Sequence, residues 1–233
     1  MIQELGVKKS DEKRVPAYLV GLLSVMLIAT FIFTLKNYEP ARNILLTGGI
    51  IVYPFTFLII SLISKYYGFK ASRKAIFISS LVYISFFVIM MVGVLPASNN
   101  ATSSYGSIIQ YFFTNDVLTI GGFNIYYPTI GQFLSVLVAF LVSHLIYATV
   151  YNAVAKFTVD YLAMGLSLFI AYILDRLLYM PILLFGGIMK ENNSFDYLVK
   201  CLTSEFIAAI MITILLIIIY IIFTSIKKAV DNK

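Results

Sequence analysis

A chain of 233 residues that is 61% hydrophobic and only 12% charged, with a mean hydropathy of +0.93, lies far from soluble domains, in which roughly 25% of residues are charged. That composition excludes a water-soluble globular protein and places the chain in a lipid bilayer. The formal charge of +6 does not mark nucleic acid as a partner, because Lys and Arg fall in short segments between apolar runs instead of forming one patch.

Residues 1–16 read as a basic cytoplasmic segment carrying Lys8, Lys9, Lys13 and Arg14. The run Ala17 to Leu35 is long enough to span and has no small-residue cleavage site, so it is expected to be a retained first helix and not a signal peptide. Further runs of spanning length follow at Ile44–Ser64, Ala75–Leu95, Ile130–Val154, Leu162–Gly186 and Ser204–Ile226. The pattern predicts an all-α, polytopic membrane protein: six transmembrane helices over 17–226, then a tail over 227–233. With both termini cytoplasmic, twelve basic residues lie inside (Lys8, Lys9, Lys13, Arg14, Lys65, Lys70, Arg73, Lys74, Lys156, Lys227, Lys228, Lys233). Lys36, Arg42, Lys190 and Lys200 lie outside, so the positive-inside rule sets this orientation and a multi-pass place in the cell membrane. The stretch Pro96–Pro128 has no Lys or Arg and an apolar middle, which fits either a loop on the headgroups or a re-entrant lid. Cys201, the single cysteine, excludes an intramolecular disulfide and is expected to be a small packing residue.

Chemistry concentrates on Ser167–Phe185, which could cross a bilayer yet carries Asp175 and Arg176 near its middle. A charge at the centre of a membrane helix costs about 2.5–3.5 kcal/mol on insertion scales, so it is expected to face the bundle interior. At helical spacing Leu168, Tyr172, Asp175, Tyr179 and Ile182 share one stripe, a carboxylate between two phenols. Arg176 lies about 100° further round, so it is expected not to pair with Asp175, each needing a partner elsewhere. For Arg176 that role is a structural ion pair or snorkelling to the surface.

The fourth helix offers a matching face of Phe140, His144, Tyr147 and Tyr151, in which His144 reads either as a hydrogen-bonded packing residue or as a ligand contact. On the second, Gly48, Gly49 and Pro54 permit close helix approach or an unwound turn. Gly68 is the expected helix stop in the basic hairpin Lys65–Lys74. There is no H-E-x-x-H, no G-x-S-x-G and no phosphate-binding G-x-x-x-x-G-K-[ST], so neither enzymatic chemistry, a metal nor a cofactor is expected. Any ATP-driven step would need a separate ATPase subunit.

The run Gly48–Lys74 resembles the queuosine precursor transporter family, also called the vitamin uptake transporter family, through Gly49, Tyr53-Pro54, Lys65, Tyr67-Gly68 and Arg73. Ser167 and Asp175 match that family's fifth helix, and Asp196-Tyr197-Leu198-Val199-Lys200 its approach to the sixth, so the resemblance spans roughly residues 44–220. It implies six helices and inward transport of 7-deazaguanine bases. Ser61 stands where the family has Asp, Tyr147 where the fourth helix usually has Asp, His144 where Gln is usual, and Tyr172 where a polar amide is usual. Asp175 is then the carboxylate left to accept the two adjacent N–H donors of a guanine-like edge, with Tyr172, Tyr179, Tyr147 and Phe57 as candidate rings around the heterocycle. His144, Ser61, Ser167 and Lys200 complete the expected substrate-binding set. Two further readings stay open: a substrate-binding subunit of a vitamin uptake system energised by a separate ATPase, and a structural membrane protein without a ligand.

Overall fold

The computed structural model describes residues 15–34, 37–41, 44–94, 117–120, 123–185 and 194–231. Six long helices make up the bundle: α1 (Ala17–Thr34), α2 (Tyr53–Tyr67), α3 (Phe69–Val94), α4 (Tyr127–Val154), α5 (Asp160–Phe185) and α6 (Ser194–Asp231). Each contains a stretch long and apolar enough to cross a membrane, α2 together with the single 3-10 turn Gly48–Ile51 that precedes it. Helices are what an apolar chain must form there, since lipid offers nothing to hydrogen-bond a free N–H or C=O. Hydroxyls inside the bundle follow the same rule by bonding back onto their own helix: Thr30 to the Met26 carbonyl at 2.8 Å, Ser80 to Ile76 at 2.9 Å and Thr213 to Ala209 at 2.7 Å.

Element boundaries depart from the sequence expectation in three places. The apolar run that starts at Ile44 is not helical at its beginning: Ile44–Thr47 (β2) pairs antiparallel with Asn37–Ala41 (β1), and α2 begins only at Tyr53. The 3-10 turn Gly48–Ile51 connects the two and passes so close to α1 that a Cβ on Gly49 would collide with the Thr34 side chain. Pro54 then occupies the first turn of α2, where its missing N–H has no helical acceptor in any case. Second, the basic hairpin is a single residue, Gly68, at φ +87, with α3 starting at Phe69, so Lys70, Arg73 and Lys74 stand on the first turns of a helix. Third, α6 starts ten residues before the apolar run and takes in Lys200.

Of the expected loop Pro96–Pro128, residues 95–116 and 121–122 lie outside the described residues, so a lid there is untouched by the structure. Val117–Ile120 (β3) and Phe123–Tyr126 (β4) form a short antiparallel hairpin leading into α4. The basic segment 1–14, Lys36, Arg42, Lys190 and the side chain of Cys201 also lie outside the description.

Helix α2 is the centre of the bundle, 67% of its span being buried against 17% for α6, and it touches α1, α3, α4 and α6. The last residues of α2, the turn between α4 and α5, and the distal part of α6 meet at one end, where Lys65 pairs with Asp160 and lies over the Tyr220 ring. At the opposite end aromatic rings pack in the interior, with Phe133 stacked on Tyr83 and Phe87 at 4.9 and 3.9 Å between centroids. Close packing of α5 on α6 uses Gly165, where a Cβ would come within 2.7 Å of Ile217.

Candidate functional site

Four of the five residues in the stripe read from α5 face inward as expected, Leu168, Tyr172, Asp175 and Tyr179 being buried, while Ile182 is half-buried. Around Asp175 the bundle assembles a closed polar cluster from four helices. Its Oδ1 accepts hydrogen bonds from the Tyr53 hydroxyl at the start of α2 and from Ser143 Oγ of α4, the latter at 3.1 Å. Its Oδ2 accepts from Arg176 Nε at 3.0 Å and Nη2 at 2.6 Å.

This last contact corrects the expectation that Asp175 and Arg176 do not pair. Their Cα–Cβ bonds do diverge, but the arginine side chain is long enough to fold back along the helix. In a dry interior, two uncompensated charges would cost far more than that conformation. Arg176 also reaches α6, where Nη1 donates to Glu205 Oε2 at 3.3 Å, and Tyr172 donates to the same oxygen at 3.1 Å. The guanidinium lies 4.9, 5.2 and 5.5 Å from the ring centroids of Tyr179, Tyr172 and Tyr53. A flat cation is thus held edge-on by two carboxylates and faced by three aromatic rings, the geometry of cation–π recognition. Among buried side-chain polar atoms in the described residues, the Tyr179 hydroxyl makes no hydrogen bond, although Thr34 lies near it.

From this cluster a second polar layer extends along α2 and α4. Ser143 Oγ lies 3.2 Å from His144 Nδ1, which also donates to the Phe140 carbonyl at 3.0 Å, and His144 Nε2 lies 2.7 Å from Thr56 Oγ1. The His144 ring is stacked on Phe57 at 4.0 Å with 11° between planes. One turn further on, the Tyr147 and Ser61 hydroxyls share a hydrogen bond, and beyond them Tyr151 Oη meets Tyr220 Oη at 2.9 Å. The layers follow from sequence spacing: Tyr53, Phe57, Ser61 and Lys65 on α2 run beside Phe140, His144, Tyr147 and Tyr151 on α4, each list advancing about one turn at a time in the same direction.

Of the nine residues expected to bind substrate, Asp175, Tyr172 and Tyr179 come together in the cluster, and His144 with Phe57 adjoins it through Ser143 and Tyr53. Tyr147 and Ser61 pair with each other in the next layer. Ser167 is buried but turns its hydroxyl to the Ala163 carbonyl at 2.6 Å, about two turns from Asp175, and Lys200 is exposed. Neither joins the cluster.

The sequence reading missed Glu205, Tyr53 and Ser143 as partners of the charged pair, and with Glu205 present Asp175 is not the only buried carboxylate. The available signal for Glu205 was its place inside the apolar run that begins at Ser204. An acid one residue from a run boundary reads as a flank, yet α6 starts well before it and carries it into the bundle. Two pockets among the described residues lie away from the cluster, a trough between α1 and α3 and a shallow one beside Lys65 and Asp160.

Among comparisons with known proteins, no curated protein and no solved structure matches the chain. A family profile described as "Putative vitamin uptake transporter" matches residues 47–223, which takes in α2 through most of α6 and therefore every residue of the central cluster. That span agrees with the resemblance read from the motifs around Gly49, Tyr53-Pro54 and Asp175. Six membrane-length helices around a buried polar cluster are consistent with a match over three quarters of the chain, and that match makes the assignment: this multi-pass membrane protein belongs to the vitamin uptake transporter family.

Proposed function

We propose that this protein carries a small planar, nucleobase-like compound inward across the plasma membrane, a 7-deazaguanine queuosine precursor or a related vitamin-like molecule, with both termini cytoplasmic. The observation that supports this most is the way the interior holds Arg176. A guanidinium and the N1/N2 edge of a guanine-like base present the same flat set of N–H donors, and a carboxylate accepts either in bidentate fashion. Asp175, Glu205 and the three tyrosine rings therefore already have the chemistry such a ligand needs. A ligand binds by taking over Asp175 as Arg176 swings toward Glu205, with Tyr172 and Tyr179 against its faces and His144 and Phe57 lining the side toward α4. Tyr147 and Ser61 lie one layer along the path, and Ser167 and Lys200 stand outside this cluster.

Uptake of radiolabelled 7-cyano-7-deazaguanine by cells expressing the chain tests the reading, with Asp175→Asn expected to abolish it. Uptake that survives that substitution sinks the role given to Asp175. Transport by the purified chain alone in liposomes separates a self-sufficient carrier from a binding subunit that depends on an ATPase partner.

A further inference from the structure

On the outside of the bundle, away from the central cluster, a trough of about 870 Å³ opens between α1 and α3. It runs from Val15, just ahead of α1, to Ile28 on α1 and from Lys70 to Val82 on α3, two helices that lie parallel. The polar groups at its floor are turned inward: Ser24 donates to the Val20 carbonyl at 2.9 Å and lies 3.1 Å from Ser79 Oγ, which leaves apolar side chains on the walls. Gly21 gives the trough its depth, since a Cβ there would meet nothing within 4 Å.

The two ends differ. At one stand Lys70 and Lys74, one helical turn apart on the same face of α3, both exposed and neither in an ion pair among the described residues. At the other, Phe31 packs edge-on against Tyr83, Phe86 and Phe87 at 5.9, 6.5 and 6.3 Å and shuts the gap between the helices. The trough is therefore a blind groove about 18–20 Å long, at 1.5 Å per residue, against a hydrocarbon core of about 30 Å. A docked transmembrane helix would need the whole thickness. A single leaflet's depth, entered from a cationic rim and ending in an aromatic wall, fits a lipid.

We infer that this trough binds an anionic phospholipid, its phosphate between Lys70 and Lys74 and one acyl chain laid over Gly21 toward Phe31. The rim selects the headgroup by charge, because juxtamembrane lysines attract anionic lipid additively. The groove selects the depth.

Native mass spectrometry of the full chain, extracted in mild detergent from vesicles of equal phosphatidylglycerol and phosphatidylcholine, tests this. The wild type is expected to retain phosphatidylglycerol in preference. The double variant Lys70→Gln/Lys74→Gln is expected to reduce that preference by about 30-fold, roughly fivefold per lysine. Gly21→Phe, with both lysines intact, is expected to strip the retained lipid while unfolding at the wild-type temperature in lipid-free detergent, and Gly21→Leu gives a milder version of the same loss. Equal retention of the two lipids by the wild type overturns the inference, as does unchanged retention in either the lysine pair or the glycine variants. A second copy of the chain that is retained by the wild type and lost in Gly21→Phe also overturns it, by making the occupant a helix.

Discussion

Among the described residues two ion-paired regions tie this bundle together, and they stand in opposite surroundings. At the basic end Lys65 Nζ lies 2.8 Å from Asp160 Oδ2, with side chains 26% and 44% exposed. In the interior Asp175, Arg176 and Glu205 are 0%, 7% and 0% exposed. Water can replace either partner of the first pair, so that pair has little to lose. The second is buried away from bulk solvent, and the protein answers it with Tyr53, Ser143 and Tyr172 as hydrogen-bond donors and three rings around the cation. Under the proposed function, a ligand entering the cluster must bring N–H donors of its own, because any apolar guest would leave the carboxylates bare.

The strongest way to break this comparison is Arg176→Met, which keeps an unbranched apolar stem but removes the guanidinium and leaves two buried carboxylates without their cation. Breaking a buried pair by removing one partner costs about 3–5 kcal/mol, and that loss is expected in denaturant unfolding of the detergent-solubilised protein. Millimolar guanidinium is expected to restore part of it by filling the vacated aromatic and carboxylate setting. A loss below about 1 kcal/mol would put the interior cluster in the same class as the exposed pair.

Asp175→Asn should cost less, about 1.5–3 kcal/mol, the worth of hydrogen bonds to a charged group. The amide still accepts from Tyr53 and Ser143, and Arg176 keeps Glu205. Transport is expected to be lost nonetheless, because a neutral amide offers no bidentate acceptor to a donor edge. If stability and uptake both stay at wild-type levels, the carboxylate serves neither purpose.

Much of the fold is legible in the sequence, and the reasons are physical. Hydropathy finds spans because the bilayer imposes a length, and Gly68 announces a helix stop because few other residues tolerate its positive φ. Helix periodicity placed Tyr172, Asp175 and Tyr179 on one inward face, as the structure has them. The hairpin β1–β2 was hidden because Ile44–Thr47 is as apolar as the helix it precedes, and periodicity alone does not separate a short apolar strand from a helix. Partners across helices were hidden for a different reason. Spacing along one helix says which side chains share a face, but Tyr53 and Asp175 lie 122 residues apart and only packing brings them together. The Asp175–Arg176 pair was misjudged because spacing fixes where a side chain starts and not how far it reaches.

Tyr179→Phe sharpens the comparison from within the interior. Its hydroxyl is buried without a hydrogen bond, a state that costs on the order of 1 kcal/mol or more, so removing the oxygen is expected to raise stability by about that amount. If the hydroxyl waits for a ligand, the same substitution raises the KM for uptake while the protein becomes more stable. A stability gain with unchanged KM assigns the idle hydroxyl to packing alone.

The smallest effect is expected at the exposed pair. Lys65→Gln removes the contact with Asp160 and the cation over Tyr220, but both acid and ring border a pocket open to water. Exposed pairs contribute about 0–1 kcal/mol, and this one should weaken further as salt is raised, which the same unfolding measurement at two ionic strengths reads directly. A loss comparable to that of Arg176→Met, independent of salt, would mean that the basic end is as dry as the interior. The polar ladder from Tyr53 through His144 and Tyr147 to Tyr220 would then be one continuous buried network. A small, salt-sensitive loss keeps it as an interior cluster whose lower layers open toward water at Lys65, the end from which a bound ligand would leave for the cytoplasm under the proposed orientation.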